Sequence, residues 1–470
     1  MPTSTPRCAG PVTRRSFLQW GTLGLGGLSL ADRFRLQAVA NETNLSKQDT
    51  SIIFVWLPGG PPHMEMYDMK PNAPLDYRGA FHPIATNVPG LDVCEHMPLH
   101  AKCADKYNII RSVAHEFADH GGGHKRFLTG RKPSTPTGFV NDSPAVGSIV
   151  AKMRERRNNS LPNYVSGTNA GRAGVDTYSF GAAYLGPSYV PFNVPGDPND
   201  EKFEVKNLSL HPSLSDRLDD RMRLLKGFDE LRRDIDQTGL MSATDEFTGK
   251  ALGLLTSERA RNAFDLSQEP DSLRDRYGRH AWGQRALMAR RLVEAGCSFV
   301  TMVMENPYQS GVDWLNQGTY NWDSHAVNCH IFDDTKLRLP IYDRAVTALV
   351  EDLHDRRLTE KVMLVVTGEF GRTPRINNQN GTKTKTMQPG RDHWPQAMSM
   401  LVSGGGMQTG QVIGSTTSKG ERPKDRPLTP NDLWATVYRH LGIDYETTFP
   451  NRSGRPMPIL PFGEPIAELL

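Results

Sequence analysis

The chain has 470 residues, of which 37% are hydrophobic and 23% charged, with a formal net charge of +3. That composition supports one large α/β domain or two ordinary ones and excludes wholesale disorder. Basic and acidic residues interleave, which argues against a dedicated nucleic-acid binder, and no segment reaches the roughly 20 apolar residues that a comfortable membrane span requires.

Near the amino terminus stands Thr13-Arg14-Arg15-Ser16-Phe17-Leu18-Gln19, followed by a glycine-rich, weakly apolar run to Ala31. Paired arginines ahead of Phe-Leu and a short apolar run are the twin-arginine export pattern. Ala38-Val39-Ala40 offers a small-x-small cleavage site, with the charges of Asp32-Arg33-Phe34-Arg35 lying just before it. Residues 1–40 are therefore expected to be a signal region read by the twin-arginine machinery, and the destination to be the periplasm or cell envelope. That route carries folded proteins and suits one that acquires a metal before crossing. Of five cysteines, Cys8 lies in this leader, and Cys94, Cys103, Cys297 and Cys329 show no CxxC or zinc-ribbon spacing. A Cys94–Cys103 bridge after export and four free thiols are both compatible with the sequence.

Past the leader, Ser51–Leu57 (SIIFVWL) is a compact β-branched and aromatic run that Pro58-Gly59-Gly60-Pro61-Pro62 ends abruptly. It reads as a buried first strand running into a turn. Asn108–Val113, Ser298–Met304, Lys361–Thr367 and Ala397–Ser403 read as further strands. Helices are expected at Arg285–Ala295, with Gly296 past its end, and at Pro340–Leu353, where Ile341, Ala345, Leu349 and Leu353 make an apolar stripe. Another is expected at Pro430–Leu441, ending at Gly442. From Pro212 to Tyr277 the pattern is helical and highly charged, which suggests a helical insertion at about 205–280. Gln379–Pro389 and Ser415–Pro427 read as polar loops. Strand–helix alternation predicts an α/β fold, a doubly wound and mostly parallel sheet over residues 50–470, with ligands at the carboxyl ends of its strands.

Five polar stretches could carry chemistry. Asn321-Trp322-Asp323-Ser324-His325 places a carboxylate and an imidazole two residues apart, ordinary ligands for zinc, manganese or iron, though such a pair is also common surface chemistry. Glu369 and Arg372 follow the strand that ends at Thr367; Arg372 suits an oxyanion clamp or a structural pair with the glutamate. Gly390-Arg391-Asp392-His393-Trp394-Pro395 offers His393 as a third ligand or as a packing partner of Trp394. His115-Glu116-Phe117-Ala118-Asp119-His120-Gly121-Gly122-Gly123-His124 reads as a flexible glycine loop able to meet a metal or an anion; it is not a phosphate-binding P-loop. His63, Glu65 and Asp68 follow the first strand and either line the same cleft or belong to a rigid turn.

Taken together and in this order, LPGGPPHMEMYDMKP, FLTGRKP, NWDSHAVN, VTGEFGRTPRIN, GRDHWP and LVSGGGMQTGQVIG resemble the DUF1501 family over nearly the whole chain. More distantly the chain is similar to the alkaline phosphatase and sulfatase superfamily. That resemblance implies an alkaline phosphatase-like sheet and a metal half-site at Asp323, His325 and His393. It also implies an eroded second half-site, with Pro58 where an aspartate is expected and Glu369-Phe370 where an Asp-His pair is expected. The position of the usual Ser, Thr or formylglycine nucleophile falls at His120 or a neighbouring glycine.

The implied activity is metal-dependent hydrolysis of phosphate or sulfate esters, of small molecules or polysaccharides. The cofactor is a divalent metal (zinc, manganese or iron, with calcium possible). Asp323, His325 and His393 serve as ligands, Arg372 as anion clamp, and His120 or Glu369 as acid or base. The alternative is a non-catalytic envelope protein, binding or scaffolding, that retains the fold.

Overall fold

The first strand shows how the sheet is built. In the computed structural model, β1 (Ser51–Trp56) has every residue buried. Its alternate side chains divide between two cores: Ile53 and Val55 join one, Ile52, Phe54 and Trp56 the other. A strand buried on both faces reads as an unbroken apolar run because each face meets a helical layer, and each such side chain contributes about 1.5–3 kcal/mol on burial. The structure describes residues 49–157, 161–169, 179–205, 208, 257–307 and 318–470. The expected signal region (residues 1–40) and residues 209–256, which hold most of the expected insertion, lie outside the described residues.

The other strands of the central sheet are β2 (Asn108–Val113), β3 (Tyr164–Thr168), β4 (Phe192–Pro195), β5 (Phe299–Val303), β6 (Val362–Thr367), β7 (Met398–Gly404) and β8 (Val412–Ile413). The eight run in the order β8-β2-β7-β6-β1-β5-β3-β4. β1 pairs in parallel with β5 and β6. β7 alone runs antiparallel to its neighbours, β2 and β6. The fold is thus α/β with a large, mostly parallel sheet, as the alternation predicts.

One face carries α3 (Glu258–Phe264), α4 (Asp271–Tyr277), α5 (Ala281–Glu294) and α6 (Ile331–Asp355). The other carries α1 (His120–Thr129), α2 (Val146–Met153) and α7 (Pro430–Leu441). α7 has the termini its sequence announces. Thr429 and Asp432 form a capping box, Pro430 takes the first turn, and Gly442 ends the helix in the left-handed conformation.

Three expectations are corrected. The glycine run after Asp119 is no loop but the first turn of α1, with the Asp119 carboxylate accepting from the amides of Gly121 (2.9 Å) and Gly122 (3.2 Å). Pro340 does not start a helix; α6 begins at Ile331, where His330 Nδ1 accepts from the Asp333 amide, and Pro340 sits inside it. The segments at 377–390 and 415–425 are short antiparallel hairpins rather than structureless loops. Cys94, Cys103, Cys297 and Cys329 are all buried free thiols, and burial pushes the Cys94 and Cys103 thiols up to about 12.

Candidate metal centre

The sheet topology brings chemistry-bearing segments to one edge. β1 leaves at Trp56 into Pro58-Gly59-Gly60, β6 at Thr367 into Glu369 and Arg372, and β2 at Val113 toward His115 and α1. Because β7 is antiparallel, its first residue, Met398, pairs with Val113, so the residues just before it also arrive at this edge. Arg372 and His393 face each other in a two-residue antiparallel pair. Asp323 and His325 come from the loop ahead of α6, which Gly59 holds close. Its φ of +107° and the near contact a Cβ would make with the Asp323 amide (2.6 Å) leave room only for glycine.

Asp323 is the hub. Its Oδ1 lies 3.0 Å from His325 Nε2 and 3.1 Å from His393 Nε2, and those two nitrogens are 2.9 Å apart. Its Oδ2 lies 3.4 Å from His120 Nε2 and accepts from Asn328 Nδ2 at 3.0 Å. Each of the three rings is held from behind. His325 Nδ1 donates to Asp392 Oδ1 (2.7 Å), His393 Nδ1 to the Ala118 carbonyl (2.6 Å), and His120 Nδ1 to Glu369 Oε1 (2.8 Å). With Nδ1 committed as donor, the rings of His325 and His393, when neutral, present their Nε2 lone pairs to the carboxylate and to each other. Acceptors brought this close without a donor repel one another, and a cation resolves the repulsion. Three ligands about 2.0–2.2 Å from a metal stand about 3.0–3.5 Å apart, close to the observed spacings. The acceptors behind the rings are of the kind that orient metal-binding histidines. His120, Asp323 and His393 also group as possible ligands, with atoms within 4.8 Å of one another.

The electrostatics agree. Burial would raise the Asp323 carboxyl, but His120, His325, His393 and Arg372 hold it well below the usual carboxylate range. Glu369, also buried, is held low by His124 and His120 and accepts from the Gly59 amide through both oxygens (2.8 and 3.1 Å). Burial lowers His120, yet its bonds to Asp323 and Glu369 outweigh this and raise it to about 9. Burial is also the main cause that lowers His393.

Arg372 is fully buried. Its Nε donates to the Gly60 carbonyl (2.9 Å), Nη1 to that of Arg391 (3.1 Å), and Nη2 to Gly59 O and to Asp323 Oδ1 (2.5 Å). It therefore locks the turn after β1 to the Asp323 carboxylate. The remaining candidates lie beneath this layer. His63 Nδ1 accepts from the Arg372 amide (3.4 Å), and burial lowers the ring to about 4. Glu65 pairs with buried Arg391 at 2.6 Å, Asp68 with Lys70 at 2.8 Å, and His115 Nε2 donates to the Glu369 carbonyl (2.5 Å).

Asp392 and Asn328 are parts of the site that residue spacing alone does not single out; they stand in the stretches GRDHWP and NWDSHAVN. His124 belongs to the histidine-rich stretch that the sequence does mark. His124 Nε2 lies 3.4 Å from Glu369 Oε1.

Among solved structures the chain is similar to the lipoteichoic acid synthase LtaP from Listeria monocytogenes (9% identity, TM-score 0.38, covering 85% of this chain and 73% of that one). It is also similar to the C-terminal periplasmic domain of EcEptC from Escherichia coli in complex with Zn (11%, 0.34, 88% and 94%). A third is the alkaline phosphatase from the Antarctic bacterium TAB5 (10%, 0.34, 83% and 98%). No curated protein matches the chain. The family model "Protein of unknown function (DUF1501)" matches residues 49–470, and the chain belongs to that family.

Proposed function

We propose that the protein is an exported, metal-dependent hydrolase of phosphate or sulfate esters, with Asp323, His325 and His393 holding a divalent cation. One observation carries the reading: three imidazoles, each with Nδ1 donating to a protein oxygen, turn Nε2 toward one carboxylate. Two nitrogens and an oxygen are an ordinary donor set for zinc, manganese or iron, whereas calcium favours oxygen throughout.

A divalent cation held there supplies Lewis acidity toward an ester oxygen and eases the ionisation of water. The chain's own residues do the rest. Glu369, fixed by the Gly59 amide, holds the His120 ring so that Nε2 is the atom that takes or returns a proton at the reacting group. Arg372 orients Asp323 and adds positive charge beneath an incoming anion. Asn328 fixes the other carboxylate oxygen. The side chains of His120, His325, His393 and Asp323 are 25, 21, 19 and 18% exposed, enough for a substrate to reach them from solvent.

The reading as a non-catalytic envelope protein keeps one observation in its favour: where the resembling enzymes place a hydroxyl-type nucleophile, the residue at the cluster is His120. Purified protein loaded with zinc, manganese or iron and assayed on 4-nitrophenyl phosphate and 4-nitrophenyl sulfate separates the two. Turnover that is lost in Asp323→Ala and His393→Ala is expected. A metal-loaded protein inert toward both esters would favour the non-catalytic reading.

A further inference from the structure

Beside the metal centre lies a cavity of about 430 Å³ lined by Tyr77, Thr373, Arg375, Asn377, Asn378 and Trp394, with Asp392 in its wall. Its size falls in the range of small-molecule sites, about 300–1,000 Å³. We propose that this pocket binds an uncharged sugar ring of a glycan that carries the ester; the proposal rests on the reading of the adjacent centre as an ester hydrolase.

Three features support it. The first is continuity with the centre. Asp392 Oδ1 accepts from His325, while its Oδ2 accepts from Asn377 Nδ2 at 3.2 Å. The Asp392 amide donates to Thr373 Oγ1 at 2.9 Å, and Trp394 directly follows His393. A ring in the pocket would place its substituents one residue away from the candidate ligands.

The second is chemistry. Two partly exposed aromatic side chains, Tyr77 and Trp394, offer apolar surface to the C–H face of a pyranose. Asn377 and Asn378 offer planar amide donors and acceptors suited to vicinal hydroxyls. Trp394 is fixed by donation from Nε1 to the Glu421 carbonyl (2.7 Å), and Lys419 Nζ lies 4.9 Å from the Tyr77 ring centre. Aromatic bodies held by polar partners lose little freedom on binding.

The third is charge. Arg375 pairs with Asp76 (3.4 Å), and Asp392 and Glu421 also line or flank the cavity, so neither sign dominates. A balanced wall favours a neutral polyol over a strongly charged group, leaving the ester's charge for the metal centre.

The test is an array of immobilised oligosaccharides, neutral, sulfated and phosphorylated, probed with the full-length protein and with Tyr77→Ala, Asn378→Ala and Asp323→Ala. Tyr77 and Asn378 come from separate segments and neither is buried, so two independent folded variants test one pocket. The expected result is a neutral oligosaccharide that binds wild type and Asp323→Ala alike, and binds Tyr77→Ala and Asn378→Ala about tenfold more weakly or worse. No bound oligosaccharide, or binding indifferent to both pocket substitutions, would overturn the proposal, as would recognition lost only in Asp323→Ala. Metal content measured on the same preparations separates the two claims. Glycan binding by a protein that takes up no metal leaves the pocket standing and removes the hydrolase reading; a stoichiometric metal with no glycan does the reverse.

Discussion

Asp392 accepts a hydrogen bond from His325 Nδ1 at 2.7 Å, and this one contact decides which nitrogen of His325 faces the centre. Without it the ring would be free to flip or to change tautomer, and the Nε2 lone pair would no longer be held toward Asp323. The residue that orients a ligand is usually worth 10–100-fold in metal affinity. Asp392→Asn is therefore expected to weaken binding of zinc by roughly that factor. The side chain is 46% exposed, so the melting temperature should shift little. Competition with a chromophoric chelator measures the first, and calorimetry the second.

His120 approaches Asp323 from the opposite oxygen. If it is the acid or base, His120→Ala leaves metal content stoichiometric and reduces kcat by about 10²–10⁴-fold. Loss of metal from His120→Ala would instead make it a ligand. Mass spectrometry of the variant, alongside its turnover of an aryl ester, distinguishes the two roles.

Arg372→Lys keeps the charge but not the fork. One ammonium cannot reach the carbonyls of Gly59, Gly60 and Arg391 and the Asp323 carboxylate together. Because Arg372 is fully buried, a loss of about 2–4 kcal/mol of stability is expected, together with weaker metal binding. Urea denaturation checks the first; a variant as stable as wild type would deny Arg372 its positioning role.

Gly122 sits in the first turn of α1, where alanine has the better helix propensity by about 1 kcal/mol. A Cβ there would approach the Pro136 carbonyl to 2.3 Å. Gly122→Ala should therefore destabilise, by about 1–3 kcal/mol, and displace His120. A stabilised variant would show that propensity rather than close approach governs this turn.

His280, at the start of α5, is buried, and burial lowers it to about 4; its Nδ1 accepts from the Gly283 amide at 3.1 Å. A histidine with a depressed pKa stays neutral in the folded protein while the unfolded chain takes up a proton below about 6.5. Stability is therefore full above pH 6.5 and falls as pH drops from about 6.5 toward 4. His280→Asn keeps a capping oxygen and removes the titration. Its stability at neutral pH should be lower, and its loss between pH 7.5 and 5 smaller than in wild type. Urea midpoints at the two pH values measure this. The slope is only partly removed, because His63 and His115 are lowered to about 4 by the same burial.

The sheet was legible wherever burial on both faces wrote an unbroken apolar run. Asn108–Val113 and Pro430–Leu441 have the limits their patterns suggest. β3 (YVSGT) was not legible: its serine, glycine and threonine dilute the apolar signal, and parallel pairing with β4 and β5 supplies what propensity does not. The helix at His120–Thr129 was hidden for a similar reason. Three glycines argue for a loop, and the need for them appears only when the 136–138 segment, Phe370 and Glu369 press against that turn. Asp323, His325 and His393 stood out by residue type. Asp392 did not, because a residue 67 positions from its partner is identified by the fold alone.

The most direct test of the central claim is metal content by mass spectrometry on protein purified without chelator, for wild type and for the Asp323→Ala, His393→Ala double variant. The convergence of His120, His325 and His393 on Asp323 predicts stoichiometric zinc, manganese or iron in wild type, and its loss in a variant that remains folded. A folded wild-type protein that carries no metal, and takes up none when offered these ions, would contradict it.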